Sequence, residues 1–136
     1  MGVMTSTDPA TGEVIREYPT LSDRELEDRL ARAEDTFHAF RRTPLDDRAR
    51  WLRAAGDILE GEARRWGELM TREMGKPIRA AAAEAEKCAR ACRYYAEHGA
   101  AFLADEPVDA AADRSWVAHQ PLGPFGAGND AELREA

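Results

Sequence analysis

The chain has only two cysteines, Cys88 and Cys92, in 136 residues. That is too few for a disulfide framework. It has no long apolar run. A run such as Ala80 to Ala83 falls far short of the roughly 20 residues a membrane-crossing helix needs. It also lacks an excess of positive charge: the net charge is −7, which argues against nucleic acid as a partner, because phosphate binding calls for a basic surface. The opening residues Met1-Gly2-Val3-Met4-Thr5 contain no basic stretch leading into an apolar one, so no export signal is read there. Together these absences set the expectation of a cytoplasmic protein that binds neither nucleic acid nor membrane.

What is present is ordinary globular material, 43% apolar and 33% charged. The length suits one domain with a single core. Disorder throughout is excluded by the supply of Leu, Ile, Phe, Trp and Met.

Local patterns divide the chain into three helices with a short extended segment at each end, a mainly α fold. Asp8, Pro9, Thr11 and Gly12 suit a turn, and Val14-Ile15 favour a strand after it. Ser22 with Glu25 has the spacing of a capping box. Leu26, Leu30, Ala33, Phe37 and Phe40 then form one apolar stripe opposed by Glu27, Asp28, Arg32 and Asp35, and Pro44 ends the helix. A second helix is expected from about Asp46, whose carboxylate is a candidate cap. Its stripe is broad: Trp51, Leu52, Ala55, Ile58, Leu59, Trp66, Leu69, Met70 and Met74. Gly75 is placed to end it as the C′ residue. Pro77 suits the first turn of a third helix, whose small-residue face runs Ile78, Ala82, Ala85, Ala89, Cys92, Tyr95 and continues to Phe102 and Leu103. The Ala-rich stretch favours helix by propensity and permits a close neighbour. Residues 108–114 read as a loop and Ser115 to His119 as a strand stopped by Pro121 and Pro124.

Candidate chemistry is sparse. Cys88 and Cys92 share one helical face a turn apart, which suggests a metal or redox pair. Two small buried side chains explain them as well. His98 lies about 240° round the helix from Cys92 at roughly 100° per residue, so it adds no ligand, and parallel Cβ vectors at i,i+4 give poor disulfide geometry. Neither cysteine has a helix N-terminus or base in sequence to lower its pKa. His38, His98 and His119 are scattered. Glu60/Glu62 and Glu84/Glu86, with Arg64 and Lys87 near, read as solvated faces. Gly123, Gly126 and Gly128 spell G-x-x-G-x-G, not the dinucleotide fingerprint G-x-G-x-x-G.

Five segments taken in order carry a family resemblance. They are Asp8-Pro9-Ala10-Thr11-Gly12-Glu13-Val14-Ile15, Glu73-Met74-Gly75-Lys76-Pro77-Ile78, Glu84-Ala85-Glu86-Lys87-Cys88-Ala89, Arg93-Tyr94-Tyr95-Ala96-Glu97 and Gln120-Pro121-Leu122-Gly123-Pro124-Phe125-Gly126. The chain from residue 7 to about 127 resembles the N-terminal part of NAD(P)-dependent aldehyde dehydrogenases, and E-M-G-K-P-I and R-Y-Y-A-E look most like the succinate-semialdehyde dehydrogenase branch. The resemblance implies an enzyme in which a cysteine thiolate attacks an aldehyde, hydride passes to NAD or NADP, and a glutamate activates the water that releases the acid.

It also implies that those parts lie outside this sequence. Cys88 and Cys92 fall in the family's third helix, not at its nucleophile, and Asn129 comes too early to be the oxyanion residue. No catalytic, cofactor-binding or metal-binding residue is therefore assigned. The expectation is residues 1–127 as a truncated dehydrogenase-like region and 128–136 as a divergent polar tail, inactive alone. Its apolar helix faces would suit the rest of a dehydrogenase, a paralogue, or a second copy. The alternative readings are a stand-alone helical interaction module and a thiol or metal module at the two cysteines.

Overall fold

In a computed structural model, residues 2–110 and 114–124 are described. The chain opens with a β-hairpin. Strand β1 (Val3–Thr7) pairs antiparallel with β2 (Val14–Pro19), with Met4 opposite Tyr18, Ser6 opposite Arg16, and an irregularity between Ser6 and Thr7. The expected turn joins them: the Asp8 carboxylate accepts from Ala10 N–H at 2.8 Å, Gly12 N–H donates to Asp8 O at 2.8 Å, and Gly12 sits at φ 76°. The sequence reading found β2 but not β1, whose alternation of Val, Thr and Ser around Met4 is too polar to stand out from coil.

Helix α1 (Asp23–Phe40) begins as its sequence dictates. The Ser22 hydroxyl accepts from Glu25 N–H at 3.4 Å and the Glu25 carboxylate accepts from Ser22 N–H at 2.9 Å. Those hydrogen bonds, backbone first, hold the Glu25 carboxyl below its usual range. Helix α4 (Ile78–Phe102) follows Pro77, after a reversal at Gly75, which takes φ 68° and donates to Thr71 O at 2.9 Å.

Between them the single expected second helix is two. Helix α2 (Leu45–Gly61) ends at Glu62 (φ −111°, ψ 19°), and α3 (Ala63–Met74) starts beyond it. Pro44, not Asp46, is the cap residue of α2, and no side chain caps it by hydrogen bond; Asp46 and Asp47 lie in its first turn. The corner has a packing reason. Helix α2 lies on the later part of α4 and α3 on the earlier part, so a straight rod from 45 to 74 would leave one of them. Gly61, a weak helix former, lets the chain turn there.

The contacts along α4 are unusually close. A Cβ on Gly56 would stand 3.1 Å from Ala89 O and 3.4 Å from the Cys92 Cβ, and one on Gly67 would stand 2.9 Å from Ala82 N. The buried apolar side chains among the described residues are Ala81, Ala85, Ala89 and Ala96, all on α4. No large side chain is fully buried among the described residues. The broad stripe of the second helix and the stripe of α1 are present but uncovered: Leu30 is 55% exposed, Ile58 56% and Met74 67%. A final two-residue ribbon pairs β3 (Glu106–Pro107) with β4 (Trp116–Val117), so the expected terminal strand is present, shorter than Ser115 to His119. Its partner falls where the sequence suggested only the end of a helix. Residues 111–113 and 125–136, including Gly126, Gly128, Asn129 and the polar tail from 128, lie outside the described residues.

Polar contacts tie α2 to α4 as well. Arg93 Nη2 donates to Asp57 Oδ1 at 2.8 Å and to Glu60 Oε2 at 2.7 Å. The Arg93 hydrogen bond and charge hold the Glu60 carboxyl below its usual range, and the two carboxylates raise the guanidinium further.

Two tests follow from this packing. Gly67→Ala is expected to lower unfolding free energy by about 1–3 kcal/mol despite its better helix propensity, because backbone must shift. Gly99→Ala, which meets open space, is expected to raise it by about 0.5–1 kcal/mol. Urea denaturation of both variants checks the contrast. For Glu60 the depressed folded pKa means its stabilisation is complete above the unfolded carboxylate value of about 4.3 and fades as pH falls through the lower folded value. Arg93→Met is therefore expected to cost more stability at neutral pH than at about pH 3.5; an equal loss at both would contradict the linkage.

Candidate functional site

The chemistry-bearing residues of the sequence are dispersed over the described structure. Cys92 is half-buried with its Cβ against Gly56, a small residue where α2 meets α4, and Cys88 is exposed on α4. The two thiols are free. His38 pairs with Glu34 at 3.1 Å on α1. His98 donates from Nδ1 to the Tyr94 carbonyl at 2.9 Å, or accepts no bond there in the other tautomer, and its ring stacks on Tyr94 at 4.4 Å. His119 lies past β4, beside Arg48 and Leu103. The three histidines thus stand on three separate parts of the chain. The described residues hold no group of three or more His, Cys, Asp or Glu able to bind a metal ion.

The acidic pairs are likewise occupied. Glu60 takes Arg93, Glu62 takes Arg65 at 2.6 Å, and Glu84 pairs with Lys76. Gly123 lines a shallow groove with Phe37 and Phe40 of α1; it is the only one of the three clustered glycines within the described residues. Among the described residues, an apolar hollow lies between the start of α2 and the end of α4. It encloses about 480 Å³ and is lined by Leu45, Leu52, Tyr95, Phe102 and Leu103 over Ala96 and Gly99. Sequence reasoning missed it, since its walls come from residues some 50 positions apart, and helix periodicity does not show which helices splay.

The recognisable segments form corners. At the α3–α4 reversal, Gly75 turns the chain, Lys76 reaches Glu84, and Ser6 Oγ donates to Glu73 Oε1 at 3.2 Å. The hairpin turn then seats Pro9 against Gly75, where a Cβ would meet Pro9 Cγ at 3.1 Å. Arg93-Tyr94-Tyr95-Ala96-Glu97 supplies the α2–α4 ion pairs, the enclosed Ala96, and an aromatic cluster of Tyr94, Tyr95, His98 and Phe102.

The described residues do not form the usual dinucleotide cradle. Its usual cradle is a glycine-rich turn between a strand and a helix of a parallel sheet. The described strands form two antiparallel ribbons, β1–β2 and β3–β4, and neither leads through such a turn.

Comparison with known proteins gives a consistent picture. The aldehyde dehydrogenase family profile matches residues 2–127. A probable NADP(+) succinate-semialdehyde dehydrogenase of Synechocystis is 44% identical over 120 residues, 88% of this chain and 26% of that protein. The NADP(+) succinate-semialdehyde dehydrogenase 1 of Mycobacterium tuberculosis is 46% identical over 123 residues, 88% of this chain and 27% of that protein. The chain thus spans about a quarter of the length of the curated relatives it matches. Among solved structures, the succinic semialdehyde dehydrogenase of Streptococcus pyogenes, in complex with NADP+, superposes with a TM-score of 0.77 at 28% identity, over 82% of this chain and 25% of that one. Gox0499 superposes with a TM-score of 0.84 at 25% identity, over 90% of this chain and 27% of that one. With profile, identity and backbone in agreement over the same stretch, the chain belongs to the aldehyde dehydrogenase family.

Proposed function

We propose that this chain supplies the N-terminal helical layer of an NADP-linked dehydrogenase that oxidises succinate semialdehyde to the acid. The observation that carries this reading is the 44–46% identity, across 88% of the chain, to relatives named for that reaction and cofactor. In such a reaction the aldehyde loses a hydride to the nicotinamide and gains its second oxygen from water. No step is assigned to a residue of this chain. NADP would be held by a parallel sheet of a kind the described residues do not contain.

The role of the stretch is then architectural. The corner at Gly75 and the alanine seam of α4 set the directions of the helices. Their uncovered apolar faces fit the remaining polypeptide of an aldehyde dehydrogenase, which is the partner proposed for them. The exposed stripe of α1 favours a second reading, a helical interaction module derived from this family, with a paralogue as the bound protein.

Three outcomes separate these readings. The purified chain with succinate semialdehyde and NADP is expected to show no formation of reduced nicotinamide above blank. Residues 2–127, exchanged for the corresponding stretch of the Mycobacterium tuberculosis relative, are expected to give a folded chimera that oxidises succinate semialdehyde. Cys88→Ala with Cys92→Ala in that chimera is expected to leave turnover unchanged. A folded but inactive chimera would move the interpretation to the interaction module, and lost turnover in the double variant would restore a thiol role.

A further inference from the structure

Helices α2 and α4 meet as a wedge. At Gly56 they come close: a Cβ there would stand 3.1 Å from the Ala89 carbonyl oxygen and 3.4 Å from the Cys92 Cβ. Towards the start of α2 and the end of α4 they part. The hollow of about 480 Å³ opens there, with Leu45 and Leu52 on one side and Tyr95, Phe102 and Leu103 on the other. These apolar walls are uncovered within the stretch, Tyr95 at 57% exposure and Phe102 at 49%. The charged lining residues balance, Asp46 and Glu97 against Arg48 and Arg53, so the hollow favours neither an anion nor a cation.

Gly99 lines this hollow, and nothing in these helices calls for a glycine there. Glycine weakens a helix interior. At Gly56 and Gly67 that loss is matched by the close approach of a neighbouring helix. At Gly99 a Cβ would meet nothing within 4 Å, and its φ is not positive. The space that Gly99 leaves is filled by no group among the described residues, so it suits a group from elsewhere. A small ligand is poorly served, because sites of that kind need convergent polar groups to fix orientation, whereas Ala96, Gly99 and Ala100 offer this hollow no polar side chain. An apolar side chain needs no such groups. The matched stretch is 26–27% of the curated relatives, so about three quarters of their length lies outside it. Polypeptide already borders the hollow: His119 to Pro121 line an adjoining crevice that shares Leu45, Arg48 and Leu103 with it.

We propose that the hollow is a socket: an apolar side chain from the dehydrogenase polypeptide outside residues 2–127 enters it and packs on the bare backbone of Gly99, between Leu52, Tyr95 and Phe102. The socket presupposes the reading of this chain as part of a dehydrogenase, and it locates one point at which the rest of that enzyme is seated. It also gives residue 99 opposite signs in two settings. In the isolated chain a larger side chain fills empty space, and in the whole enzyme it takes the place of the occupant.

The chimera that carries residues 2–127 in the Mycobacterium tuberculosis relative tests it. Ala100 lines the hollow and is exposed, so a thiol introduced by Ala100→Cys is open to maleimide unless another part of the enzyme covers it. Labelling of that peptide, read by mass spectrometry, is expected to be about ten-fold slower in the folded chimera than in the isolated chain, as for a site reached only through local opening. Melting supplies the sign. Gly99→Leu is expected to raise the midpoint of the isolated chain and to lower that of the chimera by about 2–4 °C, as overpacking does. Gly99→Ala is expected to move each in the same direction by less. Equal labelling in chimera and isolated chain, or a chimera stabilised by Gly99→Leu, overturns the socket while the turnover of the unsubstituted chimera keeps the enzymatic reading intact. An unsubstituted chimera that does not fold removes that reading and the socket with it. Protection that appears in the isolated chain as its concentration rises would give the hollow to a second copy, which also overturns the proposal. Should the isolated chain show no cooperative melt, the labelling ratio and the chimera's own melt decide.

Discussion

The fold depends on how near two glycines allow helices to come. Gly56 and Gly67 bring α2 and α3 so near α4 that a Cβ would be tight at Gly56 and would force backbone to shift at Gly67. Alanine at 81, 85, 89 and 96 answers them from the other side. Backbone-to-backbone proximity of this kind gains from dispersion contacts between many atoms at short range, and less from removal of bulky apolar surface from water. The corner at Glu62 follows from it: each half of the original rod keeps its own glycine against α4. So does the reversal at Gly75, which returns the chain at the angle the seam requires.

The sequence was legible wherever a local rule decides. Ser22 and Glu25 announce the start of α1, Gly75 the end of α3, and Asp8 to Gly12 the hairpin turn. It was less legible where tertiary packing decides. Apolar periodicity runs on through Gly61, so nothing in the pattern marks the break. Asp46 looked like a cap, yet the chain enters α2 through Pro44, whose fixed φ suits the approach. The ribbon of Glu106–Pro107 with Trp116–Val117 joins positions that no short-range signal connects. The absence of an assigned catalytic residue came from the family resemblance, not from any local pattern.

The segments that make the family recognisable are those that fix angles between elements. Glu73 to Ile78 joins hairpin, α3 and α4 at one point through Ser6, Pro9 and Glu84. Arg93 to Glu97 joins α2 to α4 through Asp57 and Glu60. In a protein of several layers an error in such an angle grows with distance from the corner. A few degrees at Gly75 displaces the far end of a 25-residue helix by ångströms, at about 1.5 Å of length per residue.

An interior of alanine and glycine beneath a surface rich in Leu, Tyr and Trp inverts the ordinary relation between side-chain size and intolerance of change. In most domains the bulky positions resist replacement and the small ones drift. Here the small residues along the α4 seam are the enclosed ones, and Gly67 cannot enlarge without moving backbone, while the large outer ones answer to whatever covers them. Sequence drift in this stretch would therefore record two separate histories: the seam records its own helices, and the outer stripes record the neighbour they meet.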